Sequence, residues 1–302
     1  MPRRSNFPAH THFNFLQILF LLSAILRVGT EEVGGTRARV KVHANDKIMF
    51  QRTYASPIVL EDYKLIFFPI QKVGCTVWKQ LFRRMSGFQD WRTGRTWGRG
   101  TGLVYLADYD VKKASALMND KSFIRALFVR DPKEKFLSAY LDKAVRTAYF
   151  YGKCLKACRR KASDKSICLK KSKDFTFFVK ATRARGCYDS HWSPQSANIE
   201  EKYLNTLDFV GHLETSAQDA RILLQKLGLW GMYGESGWGK YGNESIFESL
   251  SFVKHKTATS LETDIDRLKR YYTPETEKEI EDRFSEDYRR EVFGLELRRI
   301  YQ

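Results

Sequence analysis

The chain has 302 residues, 43% of them hydrophobic, which is enough to bury one sizeable core. A formal net charge of +17 implies an acidic partner. Nucleic acid is the usual candidate for such a charge, but the N-terminus argues against it.

Arg3 and Arg4 precede an apolar run from Phe13 to Leu26 that Asn14, Gln17 and Ser23 interrupt. The run is shorter than the ~20 residues of a standard spanning helix. It reads as a signal-peptide core cut near Gly29 or Thr30, or as an uncleaved signal anchor over residues 13–28. In the second case the basic flank keeps residues 1–12 in the cytosol. Both readings put the remaining chain in an oxidising lumen. Residues 29–60 read as a stem, with apolar–polar alternation around Val40 and Val42, and a folded domain is expected over 61–302.

The strongest signals follow. KLIFFPIQKVGCTVWKQLF, from Lys64 to Phe82, is an apolar strand, a loop and a helical pattern. FIRALFVRDPKEKFLSAYLDK, from Phe123 to Lys143, repeats that order. A strand feeding a helix through a tight loop aims backbone N–H groups and a positive dipole end at one spot, which binds anions. Two such spots in one sheet suit a ligand with two separated phosphates. The first loop is not a Walker A loop, because Lys72 precedes Gly74. It still offers a mobile charge in Lys72, close backbone approach at Gly74 and a hydroxyl in Thr76. Trp78, Leu81 and Phe82 begin the buried face of its helix. In the second segment Arg130 closes the strand, Asp131 caps the helix and Pro132 takes its first position. Arg130 offers a planar fork for a phosphate, with Ser138 in the second turn close enough to share it.

Three stretches without a regular period are candidates for shaping an acceptor cleft. Gly87–Gly102 interleaves Trp91 and Trp97 with Arg92, Arg95 and Arg99; Trp230–Trp238 is rich in glycine and aromatics; Lys153–Lys173 is very basic. Singly each is as well explained as solvated surface, and together they favour an anionic glycan. Cys154, Cys158, Cys168 and Cys187 fit no common zinc spacing and read as two disulfides in one of three connectivities, with Cys75 apart and free. Further on, a third strand is expected at Leu207–Val210, then a helix capped by Ser216 and stopped at Gly228. Asn243-Glu244-Ser245 is a glycosylation sequon, usable in a lumen. Thr273 and Pro274 start a last helix running to about Val292. The alternation of strands and helices predicts an α/β fold with a central, mostly parallel sheet flanked by helices.

These segments resemble the Golgi carbohydrate sulfotransferases, in the branch that includes the HNK-1 and chondroitin/dermatan 4-O-sulfotransferases. Pro69 to Trp78 resembles that family's 5′-phosphosulfate loop. Val129-Arg130-Asp131-Pro132 through Phe136-Leu137-Ser138-Ala139-Tyr140 resembles its 3′-phosphate motif, R-x-P-x-x-R-x-x-S-A-Y, with Lys135 where the family usually has arginine. Asp189 to Gln195 resembles its His-Trp-x-Pro element. His255 to Ser260, followed by Tyr271-Tyr272-Thr273-Pro274, resembles its C-terminal cofactor-contacting segment. The likeness runs from about Tyr63 to Gly294, interrupted by a basic insert after Tyr149.

The resemblance implies a P-loop-like nucleotide-binding fold and a single-pass type II protein of the Golgi membrane. It implies 3′-phosphoadenosine 5′-phosphosulfate (PAPS) as donor, a glycan or proteoglycan acceptor and no metal. Lys72 with Val73, Gly74, Cys75 and Thr76 would cradle the 5′-phosphosulfate; Arg130 and Ser138 would hold the 3′-phosphate; His255 would lie near the donor. Of six histidines, His191 matches the family element and becomes the candidate general base, with Asp189 next and His212 structural. Two rival readings remain. A lumenal nucleotide-dependent kinase would need acidic Mg²⁺ ligands near Lys72, and the loop holds none. A non-catalytic glycan-binding protein that keeps the fold is opposed by the intact Lys72, Arg130, Ser138 and His191.

Overall fold

The computed structural model describes residues 39–50, 56–98, 100–158, 165–241 and 264–301. The apolar run at 13–28, the Asn243 sequon and the His255 segment lie outside the described residues.

A small mixed sheet forms the centre, in the order β1 (Ile58–Leu60), β2 (Leu65–Phe68), β3 (Ile124–Val129) and β4 (Phe209–His212). The β1–β2 pair is antiparallel and tightly connected through a 3₁₀ turn, Glu61–Tyr63. The β2–β3 and β3–β4 pairs are parallel, with Leu65 opposite Ile124 and Ala126 opposite Phe209. Parallel strands are covered on both faces, so β2 and β3 are nearly unbroken apolar runs rather than alternating ones. β4 starts two residues later than the sequence predicts. Asp208 accepts from the backbone and side chain of Arg125, and the Thr206 carbonyl accepts from Arg125 too, so residues 206–208 form the entry turn.

The helices are α1 (Cys75–Met85), α2 (Val111–Asn119), α3 (Pro132–Tyr140), α4 (Tyr149–Cys158), α5 (Lys165–Lys171), α6 (Phe175–Ala181), α7 (Glu201–Leu204), α8 (Ser216–Lys226), α9 (Asp264–Lys269), α10 (Pro274–Arg283) and α11 (Ser285–Arg289). They build two apolar cores. The first holds the sheet with α1, α2 and α8, and is centred on rings of Phe67, Trp78, Phe82 and Phe128. Gly211 of β4 faces Phe128 so closely that a Cβ there would lie 2.5 Å from the ring. The second core surrounds α3 with α6, α10 and Trp192. Every residue of α3 is buried, which is why its sequence lacks an amphipathic period.

Three expectations need correction. The stem does not extend to residue 60: Val42 and Ile48 are fully buried, Val40 pairs with Asn119 through both backbone groups, and β1 joins the sheet. The helix of residues 216–226 is preceded by Thr215 rather than capped by Ser216, because Asp219 turns back to accept from the Thr215 hydroxyl and the His212 N–H. His212 itself ends β4, its Nε2 2.8 Å from the Phe293 carbonyl, a structural post as foreseen. The last helix starts with the Thr273 cap and Pro274 but breaks at Phe284, which the second core buries completely. The break directs Asp287 to residues 195 and 196, where its carboxylate accepts four hydrogen bonds.

Cys154 and Cys187 form a disulfide that ties α4 to the loop before Asp189; Cys168 is also disulfide-bonded, and Cys75 is a half-buried free thiol.

Candidate functional site

Two corners meet at the C-terminal ends of β2 and β3. The chain leaves β2 through Gln71-Lys72-Val73-Gly74, with Lys72 at φ 67° and Gly74 at φ 72°. Two left-handed residues turn the strand sharply into α1. A non-glycine residue held there is strained, which marks Lys72 as a position set by its surroundings. Gly74 stands at the N-cap without a side-chain cap, so the first-turn N–H groups of α1 and its positive end face outward from the loop. Val73 anchors the loop in the first core. Gln71 is buried, and its Nε2 has no hydrogen-bond partner among the described residues.

The second corner is Arg130. Its Nη1 donates to the Lys72 carbonyl at 3.3 Å, so the corners touch. Its Nη2 pairs with Glu134 at 2.9 Å, and Arg267 reaches the same Glu134 oxygen. Asp131 caps α3 by accepting from the N–H groups of Lys133 and Glu134, and Ser138 lies buried in the second turn. Gln195, fully buried, braces the corner: its Oε1 accepts from the Arg130 N–H at 2.9 Å and its Nε2 donates to the Arg130 carbonyl at 2.8 Å.

Lys72 also has a partner that its loop does not contain. Its Nζ lies 3.0 Å from Asp142 Oδ2. Asp142 belongs to a π-helical turn, Leu141–Arg146, that continues α3, and it is paired with Lys143 and Arg146 as well. Burial depresses the Lys72 pKa; Asp142 opposes that, while Lys143 and Arg130 reinforce it. Burial would raise the Asp142 carboxyl, but Lys72, Arg146 and Lys143 outweigh it and hold it well below the ordinary range. Sequence reasoning missed this residue. Its signal was position: four residues past Ser138, on the same helix face.

His191 and Asp189, the two candidates for the base, form one unit. Asp189 Oδ1 lies 2.5 Å from His191 Nδ1 and accepts from the His191 N–H, while Oδ2 accepts from the Tyr149 hydroxyl at 2.6 Å. Burial raises the Asp189 carboxyl, but the bonds from His191 and Tyr149 override it and bring the pKa to about 2. Burial lowers the His191 pKa against the pull of Asp189, with the charges of Lys143 and Lys72 acting in the same direction as burial. The imidazole is therefore neutral beside an ionised carboxylate near pH 7. The charge of Lys72 is thus felt at the His191 ring. Lys135, completely buried, fastens the His191 loop to α3 by donating to the carbonyls of Ser190, His191 and Ser193 at 3.3, 3.2 and 2.7 Å; burial pushes its pKa down to about 7. Its three bonds all go to carbonyls of that loop.

The two aromatic stretches do come together, away from these corners. Trp91 and Trp238 stack at 5.6 Å, Arg92 lies over Trp238, and Arg84 lies over Trp91 and Tyr233 and bonds to Ser236. Arg84 is in the last turn of α1, and Tyr63, just ahead of β2, bonds to Tyr233. The cluster thus sits at the opposite end of α1 from Gly74, roughly 15 Å away at 1.5 Å per residue. Its rings and guanidinium groups pack on one another at that end of α1. Tyr149, at the start of α4, contacts both Asp189 and the His191 ring.

The sequence model of the Sulfotransferase family matches residues 57–294. Carbohydrate sulfotransferase 9 of Homo sapiens is 29% identical over 185 residues, which are 57% of this chain and 41% of that protein. Carbohydrate sulfotransferase 11 of Mus musculus is 26% identical over 247 residues, 75% of this chain and 69% of that protein. Carbohydrate sulfotransferase 14 of Homo sapiens is 30% identical over 95 residues, 31% of this chain and 25% of that protein. The chain therefore spans about two fifths of the first of these relatives. No solved structure matches.

Proposed function

The chain belongs to the sulfotransferase family, and on that premise we propose that it moves a sulfuryl group from PAPS to a hydroxyl of a glycan, an acidic one given the charge of +17. The observation that carries the reading is the contact between two anion-binding corners on adjacent parallel strands, Lys72 with the α1 N-terminus and Arg130 with α3. A donor with a 5′-phosphosulfate and a 3′-phosphate needs two such corners. The buried Nε2 of Gln71, without a partner among the described residues, fits too, since a ligand oxygen would satisfy it.

In this P-loop-like arrangement the N–H groups of Gly74, Cys75 and Thr76 would cradle the 5′-phosphate, with Val73 holding the loop down. Arg130 and Ser138 would take the 3′-phosphate, which separates PAPS from ATP. His255 would lie near the donor. The acceptor oxygen attacks sulfur as the sulfur–oxygen bond to the 5′-phosphate breaks in line. Such transfers depend on positioning and charge stabilisation. Lys72 neutralises the charge that builds on the leaving phosphate. His191, held in one tautomer by Asp189 at Nδ1, takes the hydroxyl proton at Nε2. The scheme requires no metal. The Asp142 carboxylate that a kinase reading would recruit for Mg²⁺ is engaged by three cations.

The Cys154–Cys187 disulfide and the N-terminal apolar run support a lumenal domain of a Golgi membrane protein. The deciding experiment incubates the protein with labelled PAPS and a panel of glycans, native and desulfated. Transfer to at least one acidic glycan is expected. No transfer to any acceptor, with PAP and ATP stabilising the fold equally, would refute the proposal.

A further inference from the structure

Asp142 is assigned no task by the chemistry above, yet its carboxylate holds the Lys72 ammonium. It sits in a π-helical turn, a rare geometry that concentrates at functional sites. The widened turn puts Asp142 between Lys72 on one side and Lys143 and Arg146 on the other. The Lys72 and Asp142 side chains are only 15% and 11% exposed, so salt screens their attraction poorly. Lys72 is also held in a left-handed backbone conformation, which persists where several contacts determine it together.

We propose that Asp142 is the positioning residue of Lys72, fixing both the place and the charge of its ammonium in the donor-free enzyme. The inference rests on the sulfotransferase reading and deepens it. Lys72 lies among Arg130, Lys143 and Asp142, with Lys135 and the His191 ring also within its field. Burial, Lys143 and Arg130 all favour loss of its proton; Asp142 favours keeping it. Removing the Asp142 charge therefore lets Lys72 deprotonate at lower pH. Arg146, whose side chain is 68% exposed, competes for the same carboxylate. Neutralising Arg146 leaves the carboxylate to Lys72 and moves the ammonium the other way.

The test measures kcat/KM for PAPS against pH, because that ratio reports groups of the free enzyme. Turnover needs Lys72 charged and so falls as pH rises through its pKa. In Asp142→Asn the alkaline midpoint should drop by about one pH unit or more, the usual effect of losing an opposite charge at this distance. Asp142→Glu should largely restore it, and Arg146→Gln should raise it. PAP affinity of Asp142→Asn should equal or exceed that of the wild type, since one negative charge leaves the path of the phosphate. An active wild type with unmoved midpoints in Asp142→Asn and Arg146→Gln would overturn the inference while leaving the sulfotransferase reading intact. An inactive wild type would strike that reading itself. Should Asp142→Asn lose both its fold and PAP binding, the surface variant Arg146→Gln decides alone, and a static midpoint there refutes the proposal.

Discussion

Replacing Gln195 by methionine tests whether the loop that carries His191 holds the Arg130 corner, the proposed 3′-phosphate site, in place. Methionine keeps the length of the side chain and removes the amide. Two backbone groups of Arg130 then lose their partners, the N–H at 2.9 Å from Oε1 and the carbonyl at 2.8 Å from Nε2. Each buried group left unsatisfied costs about 1–3 kcal/mol. The pair sits at a half-buried corner, so the lower half of the range applies, roughly 2–4 kcal/mol together. For a domain of this size that lowers Tm by roughly 4–8 °C. A loosened Arg130 should weaken PAP about tenfold, or ~1.4 kcal/mol. Adenosine 5′-phosphosulfate, which lacks the 3′-phosphate, should bind as before. Thermal unfolding and titration calorimetry with both ligands measure all three effects. Equal weakening of both ligands, or an unchanged Tm, would refute the bracing role of Gln195.

Lys72→Ala should cut turnover far more than PAP affinity, because its charge matters most as the leaving phosphate forms; steady-state kinetics beside PAP titration checks the split. His191→Ala should reduce turnover by roughly 10²–10⁴-fold with PAP affinity retained. The wild-type rate should fall as pH drops through a His191 pKa that burial has lowered, and Asp189→Asn should move that acid limb further down, since Asp189 raises the ring pKa; a limb unmoved in Asp189→Asn would separate the two residues. Losing the Cys154–Cys187 bond, which closes 33 residues, should cost roughly 3–4 kcal/mol in denaturant unfolding. Non-reducing peptide mapping should recover that pair with Cys75 free.

What could be read from the sequence was local. The β2–α1 and β3–α3 corners follow from an apolar run, a glycine or a capping aspartate, and a helical period, all within twenty-odd residues. Thr273 and Pro274 marked the start of α10 for the same reason. What escaped was set by distant partners. Asp142 matters because a π turn brings it to Lys72, 70 residues back. The last helix breaks at Phe284 because the second core and the backbone of residues 195 and 196 outweigh helix propensity. Trp91 and Trp238 are far apart in the sequence, and only the fold stacks them, beside Arg84 at the end of α1 away from Gly74.

Each parallel strand pair is reached only by a long crossover. Leu65 must find Ile124 and Ala126 must find Phe209, so the sheet assembles by closing loops of roughly 60 and 80 residues. Closure entropy grows slowly with length, about 0.6 kcal/mol per doubling. The 33-residue disulfide loop lies inside the second crossover and shortens it by less than half, so it eases the arrival of β4 by under about 0.6 kcal/mol. That bond secures the finished loop without guiding the chain to it. During synthesis at ~5–20 residues per second, the stretch from Val129 to His212 takes about 4–16 s to emerge. Throughout that interval one edge of β3 stands unpaired, and unpaired edges template aggregation. A chaperone guarding this nascent sheet has seconds, not milliseconds, in which to act.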